Sequence, residues 1–277
     1  MGMRISTNIA AVNAQRTLSQ SQRTIGKSME QLASGSRINK AADDAAGLAI
    51  SEGMKSQIRS LGQAQRNAND GISMVQTAEG GLNEVSNILT RLRELGMQAS
   101  TDTIGDTERG FLNKEVQQLK AEAQRITQTT KFGSAKLLDG TGDSFDFQVG
   151  TGNNPEADRI TYKSSETNAS IDNLGIAGFD FSSKEGAQDA LDSIDHAQTK
   201  VNGFRANLGA LQNRLTSTVD NLGVQNENIS AANSRIRDTD IAAATADQAR
   251  NSVLLQANTS VLAQANQMPQ VAMKLIG

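Results

Sequence analysis

The chain has 277 residues, with 27 basic and 30 acidic side chains and a formal net charge of −3. That balance lacks the basic excess of an electrostatic nucleic-acid binder. The absence of Cys and the presence of one His (His196) exclude disulfides, thiolate zinc sites and multi-histidine metal centres. With no Trp, one Tyr (Tyr162) and 3% aromatic residues, small and aliphatic side chains must fill the core, and two Pro suit long uninterrupted helices.

The N-terminal stretch MGMRISTNIAAVNAQRTL lacks the apolar run of a cleavable signal, and no apolar run approaches the ~18 residues that span a bilayer. The protein is therefore expected to stay in the cytosol or to leave by a route that does not use such a signal. Ile5, Ile9 and Val12 form a short stripe; Leu18, Ile25, Met29 and Leu32 form another, shifted in phase by one residue. Residues 1–43 carry six basic groups against Glu30 and Asp43, which fits a solvated helix face or an arm that meets an acidic partner. Asp43 and Asp44 are expected to cap a helix that begins at Ala45, where acidic groups favour the dipole.

From Met54 the three–four spacing runs through Ile58, Leu61, Gln65, Ala68, Ile72, Val75, Ala78, Leu82, Val85 and Leu89 to Leu92, with only Gln65 polar. This is the stripe of a helix that pairs along its length, about 60 Å long at ~1.5 Å per residue. Gly71, Gly80 and Gly81 lie within it, each costing roughly 1 kcal/mol in a helix interior. The register survives across all three, so one helix is expected. A shorter helix fits 106–130, with Leu112, Glu115/Val116, Leu119, Ala123 and Ile126 on one face and Asp106 or Thr107 as N-cap.

The glycine-rich segment 132–183 reads differently. Phe145–Val149 and Arg159–Tyr162 alternate like strands around a polar Gly/Asn/Pro loop, so one β-hairpin or small sheet is expected there, with most of the aromatics. Gly150-Thr151-Gly152 lacks the Lys-Ser/Thr and following helix of a phosphate loop. A second stripe runs from Ile194 to Ile236 through thirteen positions, two of them polar, and matches the first in length. Neither stripe can bury its face alone, so the two are natural partners. His196 lies beside this stripe and reads as a solvated surface residue. Near the C-terminus Leu254, Val261, Met268 and Leu275 lie seven apart, doubled by Leu255, Leu262 and Ile276, with Pro269 late in the pattern.

The fold expected from these pieces is mainly α: a rod of long antiparallel coiled-coil helices with a small β-hairpin insert, its N- and C-termini paired at one end. Residues 1–43 and 237–277 would form a terminal helical domain, and residues 44–236 a core helical rod carrying the β element at about 139–183. Burying one Leu or Ile contributes roughly 1.5–3 kcal/mol, against about 1–2 kcal/mol per residue to order backbone. A thin pair of terminal helices should therefore order against neighbours, and identical subunits that meet through different faces build rings or open filaments. No residue constellation supports catalysis, a cofactor or a metal.

The stretches LASGSRINKAADDAAGLAI (32–50), QRNANDGIS (65–73) and TAEG (77–80), with NLGALQNRL (207–215), SRIRDTD (234–240) and TSVLAQANQMPQ (259–270), resemble bacterial flagellin over about 1–135 and 187–277. The resemblance implies a structural subunit of the flagellar filament for motility. Such a subunit is secreted to the extracellular flagellum, unfolded and uncleaved, through the flagellar type III apparatus. It implies terminal helices that line the inner tube, a core domain around them, and no room for large outer domains. The implied partners are further copies of the chain, an export chaperone, the filament cap and hook-junction proteins, without nucleic acid or membrane insertion. Assembly contacts would fall on Ile5, Ile9, Val12, Leu18, Ile25, Leu32, Leu254, Val261, Leu262, Met268 and Leu275. Leu89–Leu95 and Lys114–Leu119 match the segments by which the family binds a host Toll-like receptor, placing that role on Arg91, Leu95 and Glu115, with departures at Thr90 and Gly96-Met97. Alternatively, Arg91 and Glu115 form an interhelical ion pair above a core Leu95. A hook–filament junction protein of the same superfamily and a signalling coiled coil are the other readings.

Overall fold

The computed structural model describes residues 8–141 and 144–276, the last nine of these by their backbone alone. The chain forms two compact units, one of Met1–Ile58 with Asn228–Gly277 and one of Arg59–Glu227. The division falls inside the two longest helices, α2 (Ala45–Ala99) and α6 (Lys184–Arg237).

In the Arg59–Glu227 unit the predicted stripe of α2 is the core. Leu61, Ala68, Val75, Ala78, Leu82, Val85, Leu89 and Leu92 are buried, those from Val75 to Leu92 at 0% exposure. On α6, Ile194, Ala197, Val201, Leu208, Leu215 and Leu222 are buried in the same rhythm. The two helices run antiparallel, with Arg93 Nε donating to Asp195 Oδ1 at 2.7 Å and Gln198 Nε2 to Thr90 Oγ1 at 3.5 Å. Past Leu222 the pattern continues while burial fades: Gln225 is exposed, and Ile229, Ala232 and Ile236 are half-buried.

The helix α2 does run unbroken through its glycines, and two of them are clearances for the insert. A Cβ on Gly81 would stand 2.7 Å from Leu138 Cδ1 and 2.7 Å from Thr130 Oγ1; one on Gly71 would stand 3.1 Å from Phe147 Cγ. Thr130, Leu138 and Phe147 pack against the helix backbone there, and a missing side chain makes the room. Gly80 faces open space, and nothing in the structure explains it.

Helix α3 (Asp106–Thr129) closes the helical core with Val116 and Ala123. Its N-cap is Gly105, with no side-chain bond, which corrects the expected Asp106 or Thr107. Asp106 sits in the first turn and pairs instead with Arg109 Nη1 at 2.9 Å. The Arg109 guanidinium, 7% exposed, also donates to the carbonyls of Ala99 at 2.9 Å and Thr101 at 2.8 Å, satisfying the end of α2.

The insert holds two strand pairs. A short one, β1 (Lys131–Phe132) with β2 (Ala135–Lys136), turns at Gly133 and was not foreseen from the sequence. The expected hairpin pairs β3 (Ser144–Gln148) with β4 (Arg159–Lys163), Phe145 opposite Tyr162 and Phe147 opposite Ile160. A one-turn helix, α4 (Pro155–Asp158), lies in its loop, and a 3-10 turn (Ser164–Thr167) and α5 (Ile171–Leu174) follow. Tyr162 stacks on Phe145 and its hydroxyl donates to the Leu137 carbonyl at 2.8 Å. Lys120 on α3, also 7% exposed, donates through Nζ to the carbonyls of Ala177 at 2.6 Å and Phe179 at 3.3 Å, holding the irregular segment that leads into α6. Burial lowers its pKa.

In the other unit, α1 (Ile9–Ser34) pairs antiparallel with α7 (Ile241–Ile276). Asn8 caps α1 by accepting from Ala11 N, and Gly35 ends it in the left-handed region at φ 68°. Asp240 starts α7 by accepting from the backbone of Ala242 and Ala243, and α7 continues through Pro269. The two connections are tied together: Arg37 N donates to the Arg237 carbonyl at 2.6 Å, Thr239 N to Gly35 at 2.9 Å, and Arg37 Nη2 to Ile236 at 2.7 Å. Asp44 caps α2 as expected, accepting from Gly47 N at 2.9 Å. Asp43 does not; it accepts from Asn39 N and Lys40 N and pairs with Lys27 at 2.8 Å, which holds its carboxyl below the usual range.

Candidate assembly and recognition surfaces

The seam between α1 and α7 keeps a strict three–four spacing on both helices. On α1 it runs Ala11, Ala14, Leu18, Ser21, Ile25, Ser28, Leu32; on α7 it runs Ala244, Gln248, Asn251, Leu255, Asn258, Leu262, Ala265, all buried or half-buried. Among the described residues, the buried ones on these helices are Ala14, Ser21 and Ser28 on α1 and Ala244 and Ala265 on α7, each still 6–9% exposed. Polar groups cross the seam. Asn258 Nδ2 donates to Ser21 Oγ at 3.2 Å, Asn8 Nδ2 to the Ala265 carbonyl at 2.7 Å, and Gln248 Nε2 to Met29 Sδ at 3.2 Å.

The residues expected to make assembly contacts divide between two environments. Leu18, Ile25, Leu32 and Leu262 lie in this seam, half-covered by the partner helix. Ile9, Val12, Leu254 and Val261 face outward, together with Ile241 and Val253, and these six are 46–68% exposed. Ile5 lies outside the described residues, as do the side chains of Met268 and Leu275. Reading by hydropathy passed over Ile241 and Val253, which fall off the seven-residue repeat. It also passed over Ala14, Ser21 and Ser28, whose own seven-residue spacing was the available signal.

The second surface lies on α2 and α3. Arg91 donates through Nε and Nη2 to Glu115 Oε1 at 3.0 and 2.9 Å, and through Nη1 to Glu94 Oε2 at 2.9 Å. The two carboxylates, Glu94 foremost, raise the guanidinium pKa. Arg91 and Glu115 are about half exposed and accessible. Leu95 is 1% exposed within the core, so it supports this face from beneath and does not present a surface. His196 is exposed. Among the described residues, no group of three His, Asp or Glu side chains is placed to hold a metal, and no helix is long and apolar enough to cross a membrane.

Residues 5–143 match the sequence profile of the bacterial flagellin N-terminal helical region, and residues 191–276 that of the bacterial flagellin C-terminal helical region. The chain is 45% identical to a flagellin of Halalkalibacterium halodurans, over 99% of this chain and 100% of that protein. It is 42% identical to a flagellar filament core protein of Brachyspira hyodysenteriae, again over 99% of this chain and 100% of the relative. Among solved structures it is similar to Bacillus cereus flagellin, with a TM-score of 0.52 and 30% identity over 61% of this chain and 94% of that one.

Proposed function

The chain belongs to the bacterial flagellin family, and from that premise we propose how its parts serve a filament. The protein is a structural subunit of the extracellular flagellar filament and not an enzyme. Residues 1–43 and 237–277 hold neighbouring copies together as the inner tube, while 44–236 is the body of the subunit. The observation that carries this reading is the exposure, among the described residues, of seven large apolar side chains on α1 and α7 (the six named above and Met29), set against an α2 stripe buried to 0% from Val75 to Leu92. A surface of that kind is stabilised only when further copies cover it, and identical subunits that meet through different faces make an open helical polymer.

Deleting 237–277 tests the reading. The shortened protein should remain soluble and helical and fail to extend filament seeds under the electron microscope; extension at the normal rate would overturn it.

The same thin terminal pairing suits a chain that leaves the cell unfolded through the flagellar type III apparatus, shielded by an export chaperone, and that folds beneath a cap on hook-junction proteins. We read Arg91 on α2 and Glu115 on α3 as contacts for a host Toll-like receptor, with Leu95 packed in the core beneath them. Arg91→Ala should weaken binding of the free subunit to that receptor at least tenfold, which corresponds to about 1.4 kcal/mol. Unchanged affinity would remove Arg91 from the contact.

A further inference from the structure

Phe111 is the most exposed aromatic side chain among the described residues, at 62%. It stands on the outer face of α3, with the Lys114 ammonium 5.5 Å from its ring centroid. Arg91 reaches Glu115 and Arg109 reaches the Ala99 carbonyl, so α3 runs back along α2 and Phe111 stands about level with Met97, which is also exposed. The same Arg59–Glu227 unit carries a groove of about 480 Å³ between the β3–β4 hairpin and α6. Leu61, Val149, Ile160 and Leu222, each 4–5% exposed, form its floor, and Glu156 and Arg214 stand exposed at its rim. Grooves of about 300–1,000 Å³ hold whole small ligands, so one phenyl ring fits with room to spare. We propose that Phe111 of one copy seats in this groove of the next copy, with Lys114 facing Glu156 and Glu108 facing Arg214. The proposal rests on the reading that copies of this chain form the filament.

A large aromatic group left in water and an apolar floor ringed by polar groups are the two halves of a binding hot spot. Within one copy they cannot meet, because α2 rises about 50 Å from Leu61 to Met97 at ~1.5 Å per residue. A second copy brings them together. Charge points to the same occupant. Glu108 and Lys114 lie one turn to either side of Phe111, both exposed, and among the described residues neither forms an ion pair. Glu156 and Arg214 at the rim are exposed and equally unpaired among those residues. Each patch thus offers one free charge of either sign, and joining the patches satisfies all four. The knob and the groove are different parts of one surface, so the contact is head-to-tail. Every copy gives one ring and receives one, and parallel copies run on as an open line. The separation of the two patches also sets the step of that line at about 50 Å.

The test uses the full-length chain grown on filament seeds. Phe111→Ala removes an exposed ring, so the variant should match the parent in circular dichroism and yet extend seeds at least tenfold more slowly. Lys114→Glu should also slow extension, and Lys114→Glu with Glu156→Lys should recover it. The chain has no Cys, so introduced pairs report without background. Lys114→Cys with Glu156→Cys, oxidised after assembly, should give a ladder of intermolecular dimers, trimers and longer products on a non-reducing gel, and neither single variant should give a ladder. Extension at the normal rate by Phe111→Ala overturns the contact, including the case in which that variant loses receptor binding alone, which would assign the ring to the receptor. Filaments of the double-cysteine chain that give no ladder overturn it as well. If that chain does not assemble, the charge exchange decides, and a failure to recover extension overturns the contact. All of these results leave the filament reading standing. Failure of the unsubstituted chain to extend seeds overturns the filament reading, and the contact with it.

Discussion

Two stretches of this chain use one spacing rule and finish with opposite surfaces. Along α2 and α6 the three–four stripe is mostly Leu, Val and Ile with Ala68, Ala78 and Ala197, a third helix and a β insert lie over it, and the positions from Val75 to Leu92 are sealed from water. Along α1 and α7 the spacing is equally regular, but the buried positions are Ala and Ser, the Leu and Ile of the seam are only half-covered, and other bulky apolar groups point out. Spacing decides which faces of two helices meet. Side-chain size and the number of covering layers decide whether the meeting is sufficient without further copies.

The largest test of that contrast is a pair of equal truncations. Leu89→Ala should lower the stability of its unit by roughly 2–5 kcal/mol, whereas Leu18→Ala, half-covered in the terminal seam, should cost about 1 kcal/mol in the free subunit. Denaturant unfolding followed by circular dichroism measures both; equal losses would break the comparison. Next, Arg109→Ala should cost about 2–3 kcal/mol, because two carbonyls at the end of α2 lose a buried charged donor. The glycines of α2 sharpen the picture further. Gly81→Ala should destabilise by about 1–3 kcal/mol through collision with Leu138 and Thr130, while Gly80→Ala, in open space, should stabilise by about 0.5–1 kcal/mol. The smallest effect is a pH slope. Burial lowers the Lys120 pKa from 10.5, so in the window just below 10.5 the unfolded chain binds more protons than the folded one. Stability contributed by this group therefore rises with pH across that window. Lys120→Met should abolish that increment in denaturation midpoints, and an unchanged slope would show that the ammonium is better solvated than its partners suggest.

The periodicity was enough to read the long helices, their continuity through Gly71 and Gly81, and the β3–β4 hairpin, because each repeats a simple rule over many residues. Elements made by one or two residues escaped it. The β1–β2 pair has two residues per strand, the α3 cap is a glycine without a side chain, and Asp43 was spent on a loop and Lys27 although its neighbour Asp44 caps α2 as read. At the candidate surfaces, the Arg91–Glu115 proximity was legible from two matched segments. The covered position of Leu95 depends on three helices meeting and is not encoded in any one of them. The terminal seam was the hardest case, since hydropathy gives no weight to Ser21 and Ser28, which are among its buried positions.

With no Trp and a single Tyr, the near-ultraviolet signal of this protein comes from one phenol, set in the hairpin of the Arg59–Glu227 unit. Burial raises the pKa of Tyr162 above 10, so its ring should stay un-ionised in alkali that would already convert a free phenol, until the hairpin opens. An absorbance titration near 295 nm therefore reads the integrity of that one unit. The terminal helices, whose described residues hold no Tyr or Trp, contribute nothing to it.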